Sequence, residues 1–200
     1  MMTRVLQGIM RGRARPDPYL ALGLVLLVAV GAFLAWSPEA NDAPRATPLD
    51  VGLLDDAKVE VGKRAPDFGL VDARDGVTVR RLSDYRGSTV VLNWYASWCG
   101  PCRRELPDFE EAFQALGPNV VVLAVNLRES PSAATGILDD TGATFPAVLD
   151  SDGDVAARFG VRGMPTTFFI DGDGIVRMAG AGTITREQLK AELLALGHSY

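Results

Sequence analysis

Cysteine occurs twice in the 200 residues, and both copies lie in Trp98-Cys99-Gly100-Pro101-Cys102. Two thiols at this spacing can close a disulfide with each other and so exchange two electrons with a disulfide elsewhere. What they do depends on the elements that hold them. Upstream, Thr89 to Tyr95 is a β-branched and aromatic run of the kind that fills a buried parallel strand. Downstream, Leu106, Phe109, Phe113 and Leu116 recur at spacings of three and four, which predicts a helix with one face packed on a sheet. Cys99 then stands at the helix start, where unpaired amides and the positive dipole end favour an anion. Such thiols have pKa values lowered from about 8.5 to roughly 3.5–7.5, and the thiolate is the nucleophile. Pro101 suits the first turn, because the amide it lacks would have had no helical partner. Cys102, one turn further in, is expected to be more buried and to attack second.

Other uses of two cysteines fit less well. A structural bridge across two residues closes a very small loop and constrains the unfolded chain least. A metal site needs more ligands; the one histidine, His198, lies close to the C-terminus, and no second cysteine pair exists. Asp150, Asp152 and Asp154 alternate like the start of a calcium loop, but Val155 stands where that loop requires glycine and no glutamate follows at the right distance. Turn and helix-cap chemistry explains them better, and hairpin chemistry explains Asp171 and Asp173. No metal and no cofactor are expected.

The chain is long enough for one well-buried domain and an appendage, with 48% apolar and 22% charged residues. The appendage comes first. Pro18 to Pro38 holds no charged residue, and its 21 residues as a helix would span about 30 Å, one hydrocarbon core. Tyr19 and Trp36 stand at its two ends, where amphipathic rings prefer to sit. Residues 1–17 carry Arg4, Arg11, Arg13 and Arg15 against Asp17, a net +3 in a chain whose total is −5. The positive flank is retained in the cytoplasm and the acidic bulk is exported, making 18–36 a single-pass anchor in the inner membrane. A cleaved signal peptide would need small residues at −3 and −1; a cut after Ala35 puts Phe33 at −3, and one after Ala40 puts Pro38 there. Residues 37–60, rich in Pro, Ala, Asp and Glu without apolar periodicity, read as a linker, and 61–200 as the folded domain. The acidity gives no sign of nucleic-acid binding. Exported proteins often use structural disulfides, so an exported chain with only one vicinal pair suits a redox catalyst.

Within the domain, Ala65–Val71 and Val77–Leu82 flank Asp75-Gly76, a strong hairpin signal. After the central strand and helix, Val120–Asn126 is a second fully apolar run, so strand, helix and strand form a parallel unit. Ser130-Pro131 opens a helix ending near Gly142, Pro146–Asp150 is a short strand, and Asp154–Phe159 a short helix. Thr166–Ile170 and Gly174–Met178 form another hairpin. Thr185 caps a last helix, with Leu189, Leu193, Leu194 and Leu196 expected on its inner side and Gly197 stopping it.

The pentapeptide at 98–102, together with Val161-Arg162-Gly163-Met164-Pro165-Thr166-Thr167, resembles the thioredoxin superfamily. The hairpin before the core, the 93–107 segment, the inserted helix before Phe145-Pro146 and the apolar N-terminal segment narrow the resemblance to membrane-tethered TlpA/ResA-like thiol:disulfide oxidoreductases. It covers about residues 61–196. It implies an α/β thioredoxin-like fold, a central mixed sheet flanked by helices, with an N-terminal β-hairpin extension. Cys99 would be the attacking and Cys102 the resolving cysteine of a redox-active disulfide, with Gly100 and Pro101 supporting them. Trp98 would shield the sulfur, Pro165 would be a cis-proline facing the pair, and the Met164 backbone would pair with an extended substrate. Pro107 matches a proline inside the active-site helix. Thioredoxins proper carry a buried aspartate where Asn93 stands, and asparagine cannot accept a proton. In the tethered relatives a glutamate three residues past the second cysteine resembles the substitute; here that is Glu105, which could equally be a solvated helix residue paired with Arg103 or Arg104.

The resemblance implies a reductase of disulfides in exported partner proteins, such as cytochrome c apoproteins or copper-site cysteines, recharged by a membrane-embedded electron donor. The Gly-Pro dipeptide is that of thioredoxin, whose potential of about −270 mV is reducing. Two other classes stay open: a copper-binding metallochaperone module using the two cysteines and His198, and a thioredoxin-fold peroxidase.

Overall fold

A computed structural model of the chain describes residues 59–200. The expected segments 1–17 and 18–36, and all of the linker before residue 59, lie outside the described residues. Among the described residues no helix is long and apolar enough to cross a membrane.

The elements run β1 (Gly69–Asp72), β2 (Val79–Arg81), a 3-10 turn (Leu82–Tyr85), β3 (Thr89–Tyr95), α1 (Gly100–Leu116), β4 (Val120–Leu127), α2 (Pro131–Thr141), β5 (Ala147–Asp150), α3 (Asp154–Arg158), β6 (Thr166–Ile170), β7 (Val176–Ala181) and α4 (Arg186–Ala195). The seven strands form one sheet in the order β2-β1-β5-β4-β3-β6-β7. β3, β4 and β5 are parallel, whereas β6, β7, β1 and β2 join antiparallel, so the sheet is mixed. The first hairpin pairs fewer residues than its apolar runs suggest: Asp75 spends its carboxylate on the amides of Val77 and Thr78, holding a turn wider than Asp75-Gly76 alone.

β3 is the axis of this arrangement. All seven of its residues are buried, because both sheet faces are covered. Its alternation divides the core in two. Val91 and Tyr95 join a cluster with Cys102, Leu106 and Phe109 of α1, Ile137 of α2 and Leu189 and Leu193 of α4. Val90, Leu92 and Trp94 join the opposite cluster with Phe68, Phe159, Phe168 and Val176. Asn93 lies on the α1 side, between Val91 and Tyr95, and is fully buried.

The last helix corrects one expectation. Thr185 caps it and Leu189 and Leu193 pack inward, but Leu194 is 64% exposed. Adjacent residues on a helix lie about 100° apart, and Leu189–Leu193 already fills the inner stripe. The end of the chain is docked: His198 Nε2 lies 2.9 Å from Thr89 Oγ1, and Lys190 sits over the Tyr200 ring.

Candidate active site

β3 delivers the chain to the end of the sheet, and residues 96–98 turn it into α1. Cys99 is the N-cap: its backbone is extended and its sulfur accepts the Cys102 amide at 3.1 Å. The sulfur thus occupies the place where a helix favours negative charge. Pro101 lies in the first turn, where its missing N–H costs nothing. Cys99 and Cys102 are joined as a disulfide with Cα atoms 5.3 Å apart. Cys102 is completely buried and Cys99 nearly so. Trp98 beside them is 73% exposed, an unusual place for so large an apolar ring. Pro107 lies inside α1 on its exposed side, where it cannot donate to the Arg103 carbonyl.

Across from the pair runs the segment that enters β6. Trp94 pairs with Thr166, so Pro165 lies level with the end of β3. The Met164–Pro165 bond is cis, as the resemblance implies. Met164 is half-buried and packs on the cluster that holds both cysteines. Cys99, Cys102, Trp98, Gly100, Pro101, Met164 and Pro165 therefore gather at one end of the sheet.

Glu105 joins them from beneath. It falls in the buried stripe of α1 with Cys102, Leu106, Phe109 and Ala112, and is 1% exposed. The surface-pair alternative is not what the chain adopts: Arg103 bridges to Asp140, at 2.9 Å. Glu105 Oε1 instead accepts from Asn93 Nδ2 at 2.9 Å, and Oε2 accepts from the Ile184 amide at 3.0 Å. Burial pushes its carboxyl up to about 7, against the downward pull of those two donors.

A polar cluster that the sequence did not signal holds the loop before Cys99. Glu129 accepts from the Ser97 amide at 2.7 Å, from Ser97 Oγ at 2.5 Å and from Asn126 Nδ2 at 2.8 Å. Partial burial pushes its carboxyl up, but the donors outweigh this and hold it below its ordinary value. Its predecessor Arg128 takes a left-handed conformation at φ 58°, which turns the chain at the end of β4.

The aspartate clusters do cap and turn work. Asp150 accepts from the Val155 and Ala156 amides and opens α3, and Asp152 accepts from the Asp154 amide. Among the described residues no group of three or more His, Cys, Asp or Glu is placed to hold a metal ion. His198 is tied to Thr89, at the opposite end of β3 from the cysteines; seven strand residues span about 20 Å, too far for a shared ligand set.

The comparisons agree with this geometry. The model of the AhpC/TSA family matches residues 61–179. A curated relative from Geobacillus thermodenitrificans, the thiol-disulfide oxidoreductase ResA, is 40% identical over 175 residues, covering 87% of this chain and 94% of that protein. A solved structure from Chlorobium tepidum, assigned as a thiol:disulfide interchange protein of DsbE type, shares 35% identity. It superposes with a TM-score of 0.62 over 70% of this chain and 99% of its own. An exposed lipoprotein thioredoxin of Streptococcus pneumoniae shares 33% identity with a TM-score of 0.54, over 65% and 99% of the two chains.

Proposed function

The chain belongs to the AhpC/TSA family of thioredoxin-like proteins and is a thiol-disulfide oxidoreductase, and from that premise we propose that it is a membrane-tethered reductase of disulfides in exported proteins. The observation that carries this is a vicinal cysteine pair at a helix N-cap, with an exposed aromatic beside it and a buried carboxylate one turn below.

In the reduced enzyme the Cys99 thiolate, favoured at the N-cap, attacks one sulfur of a partner's disulfide. A bond forms between Cys99 and that sulfur, the partner's S–S bond breaks, and the released thiolate takes a proton. The Cys102 thiol then gives its proton to the Glu105 carboxylate, and its sulfur attacks Cys99 Sγ. The Cys99–Cys102 bond forms and the partner leaves as a dithiol. The enzyme has lost two electrons and the partner has gained two. Trp98, Met164 and Pro165 border the sulfurs and supply the surface on which an extended partner segment lies. Recharging requires a dithiol donor, which for an exported domain means one embedded in the membrane.

Tethering is supported by the charge-free stretch at 18–36. Cytochrome c apoproteins and copper-site proteins remain the partner classes we favour. Thiol alkylation of the full chain in growing cells tests the direction. A reductase is found mainly as the dithiol; a mainly oxidised pair would reverse the assignment. Membrane fractionation with N-terminal sequencing tests the anchor, and a soluble product beginning beyond Ala35 would remove it.

A further inference from the structure

Asn93 stands in the middle of the most buried strand, where an apolar residue would be the default, and its amide is only partly satisfied. One Nδ2 hydrogen goes to Glu105 Oε1 and the other to Thr167 Oγ1, both at 2.9 Å, while Oδ1 has no partner among the described residues. Asn93 and Thr167 face each other across β3 and β6, and both are completely buried. The contact therefore belongs to the sheet and not to a mobile surface chain.

The two orientations of this amide are not equivalent. As it stands, both N–H groups are paired and only an acceptor is left over. Turned by half a revolution, Oδ1 would face Glu105 and could bond only to its protonated form, leaving two N–H groups without acceptors. Unpaired buried donors are costly. The site is thus built to hold the amide as a donor, and a donor aimed at a carboxyl favours its charged form. We propose that Asn93, braced by Thr167, is a positioning residue that keeps Glu105 ionised at working pH, so that the carboxylate is free to receive the Cys102 proton. This rests on the reading of Glu105 as proton acceptor.

The Ile184 amide and Arg104 also favour the anion, but neither is a side-chain donor held within the sheet. On its own helix Arg104 favours the anion and Asp108 opposes it, and Asp108 is bound by Arg186 of α4 at 2.6 Å. From the segment before α4 comes one amide, that of Ile184. β3 and β6 present Asn93 and Thr167, neither of which titrates. In the reduced enzyme the Cys102 thiol is the proton donor itself. Against this, desolvation is the largest influence and pushes toward the neutral acid. Asn93 is the side chain that opposes it directly.

The test compares the full-length reduced chain with its Asn93→Leu, Thr167→Val and Glu105→Gln variants, reducing insulin disulfides between pH 6 and 9. Loss of one hydrogen bond to the carboxylate moves its titration up by about one unit. At pH 7 the ionised fraction then falls from about half to about a tenth, and Asn93→Leu should be slower than the parent by about fivefold. By pH 9 that ratio should shrink below about twofold, because the carboxyl is ionised in both. Thr167→Val should show the same pattern with a smaller ratio. Glu105→Gln should be slow at every pH. A ratio for Asn93→Leu that stays the same from pH 7 to 9, or no slowing at all, overturns the proposal while leaving Glu105 in place. A Glu105→Gln variant as fast as the parent removes the Glu105 reading, and the Asn93 role with it. If Asn93→Leu loses its native tryptophan fluorescence and does not fold, Thr167→Val decides: a pH-independent ratio for it overturns the proposal.

Discussion

Replacing Glu105 by glutamine should make the oxidised protein more stable in alkali and less stable in acid, with the two stability curves crossing. Glu105 in the unfolded chain loses its proton near the ordinary 4.5, whereas in the folded chain burial holds the proton to about 7. Between those values the folded state binds more protons, so stability falls as pH rises. The favourable contribution is whole below about pH 4.5 and is gone above the folded value. A displacement of this size corresponds to about 3 kcal/mol lost by pH 8. Glutamine never ionises and escapes that loss. It brings a different one, because both Asn93 Nδ2 and the Ile184 amide are donors and an –NH2 group must now face one of them. An unmatched buried pair costs about 1–2 kcal/mol at any pH.

The variant should therefore be less stable by up to about 1 kcal/mol at pH 5 and more stable by about 1–2 kcal/mol at pH 8, the net of the two effects. Guanidinium unfolding of the full chain at pH 5, 6, 7 and 8, followed by tryptophan fluorescence, gives both curves. Comparing variant with parent cancels the contribution of Asp150, whose carboxyl burial also pushes up. Parallel curves would show that Glu105 titrates as it does in water, and would refute the argument that desolvation governs it.

Three further outcomes follow from the geometry. Cys102→Ser should accumulate covalent complexes with partner proteins on non-reducing gels, since Cys102 closes the cycle, whereas Cys99→Ser should accumulate none. Trp98→Ala should leave unfolding within about 0.5 kcal/mol of the parent, its ring being largely exposed, yet raise KM for a disulfide-bearing peptide; an unchanged KM would remove Trp98 from the partner surface. Leu193→Ala should cost about 2–5 kcal/mol and Leu194→Ala less than about 0.5, so equal costs would contradict the packing of α4.

The element order was legible because periodicity and punctuation agreed. Thr89–Tyr95 and Val120–Asn126 read as buried strands, and Ser130-Pro131, Gly142, Thr185 and Gly197 mark helix ends where their side chains or left-handed backbones do the capping. The Cys99 N-cap followed from Pro101 and the stripe of Leu106, Phe109, Phe113 and Leu116. Leu194 was misplaced because four leucines in eight residues cannot all share one stripe, and composition does not say which are excluded. Glu105 shows the opposite problem. Its spacing from Cys102 and Phe109 puts it in the buried stripe, but its charge argues for solvent, and only tertiary contact with Asn93 and Ile184 decides. Ser97 meets Asn126 and Glu129 from a separate stretch of chain, a juxtaposition neither stretch announces alone.

A structural reading of Glu105 can be weighed against the other buried carboxylates of the same domain. Asp72 is buried beside a cation: Arg80 Nε lies 2.5 Å from it, and the Arg74 amide adds a second donor. Asp150 lacks a cation but accepts from the Val155 and Ala156 amides at the start of α3, so deleting it would leave a helix end uncapped. Glu105 has neither justification. No cation lies within hydrogen-bond reach of it among the described residues, and α4 is capped by Thr185, not by Glu105. An apolar side chain there would avoid the cost of buried charge but leave the Ile184 amide and Asn93 Nδ2 without an acceptor. Those donors call for an acceptor, not for one that titrates, and buried charge kept at a cost to stability is expected where chemistry needs it. A redox site in which Cys102 must lose a proton inside a closed core supplies that need.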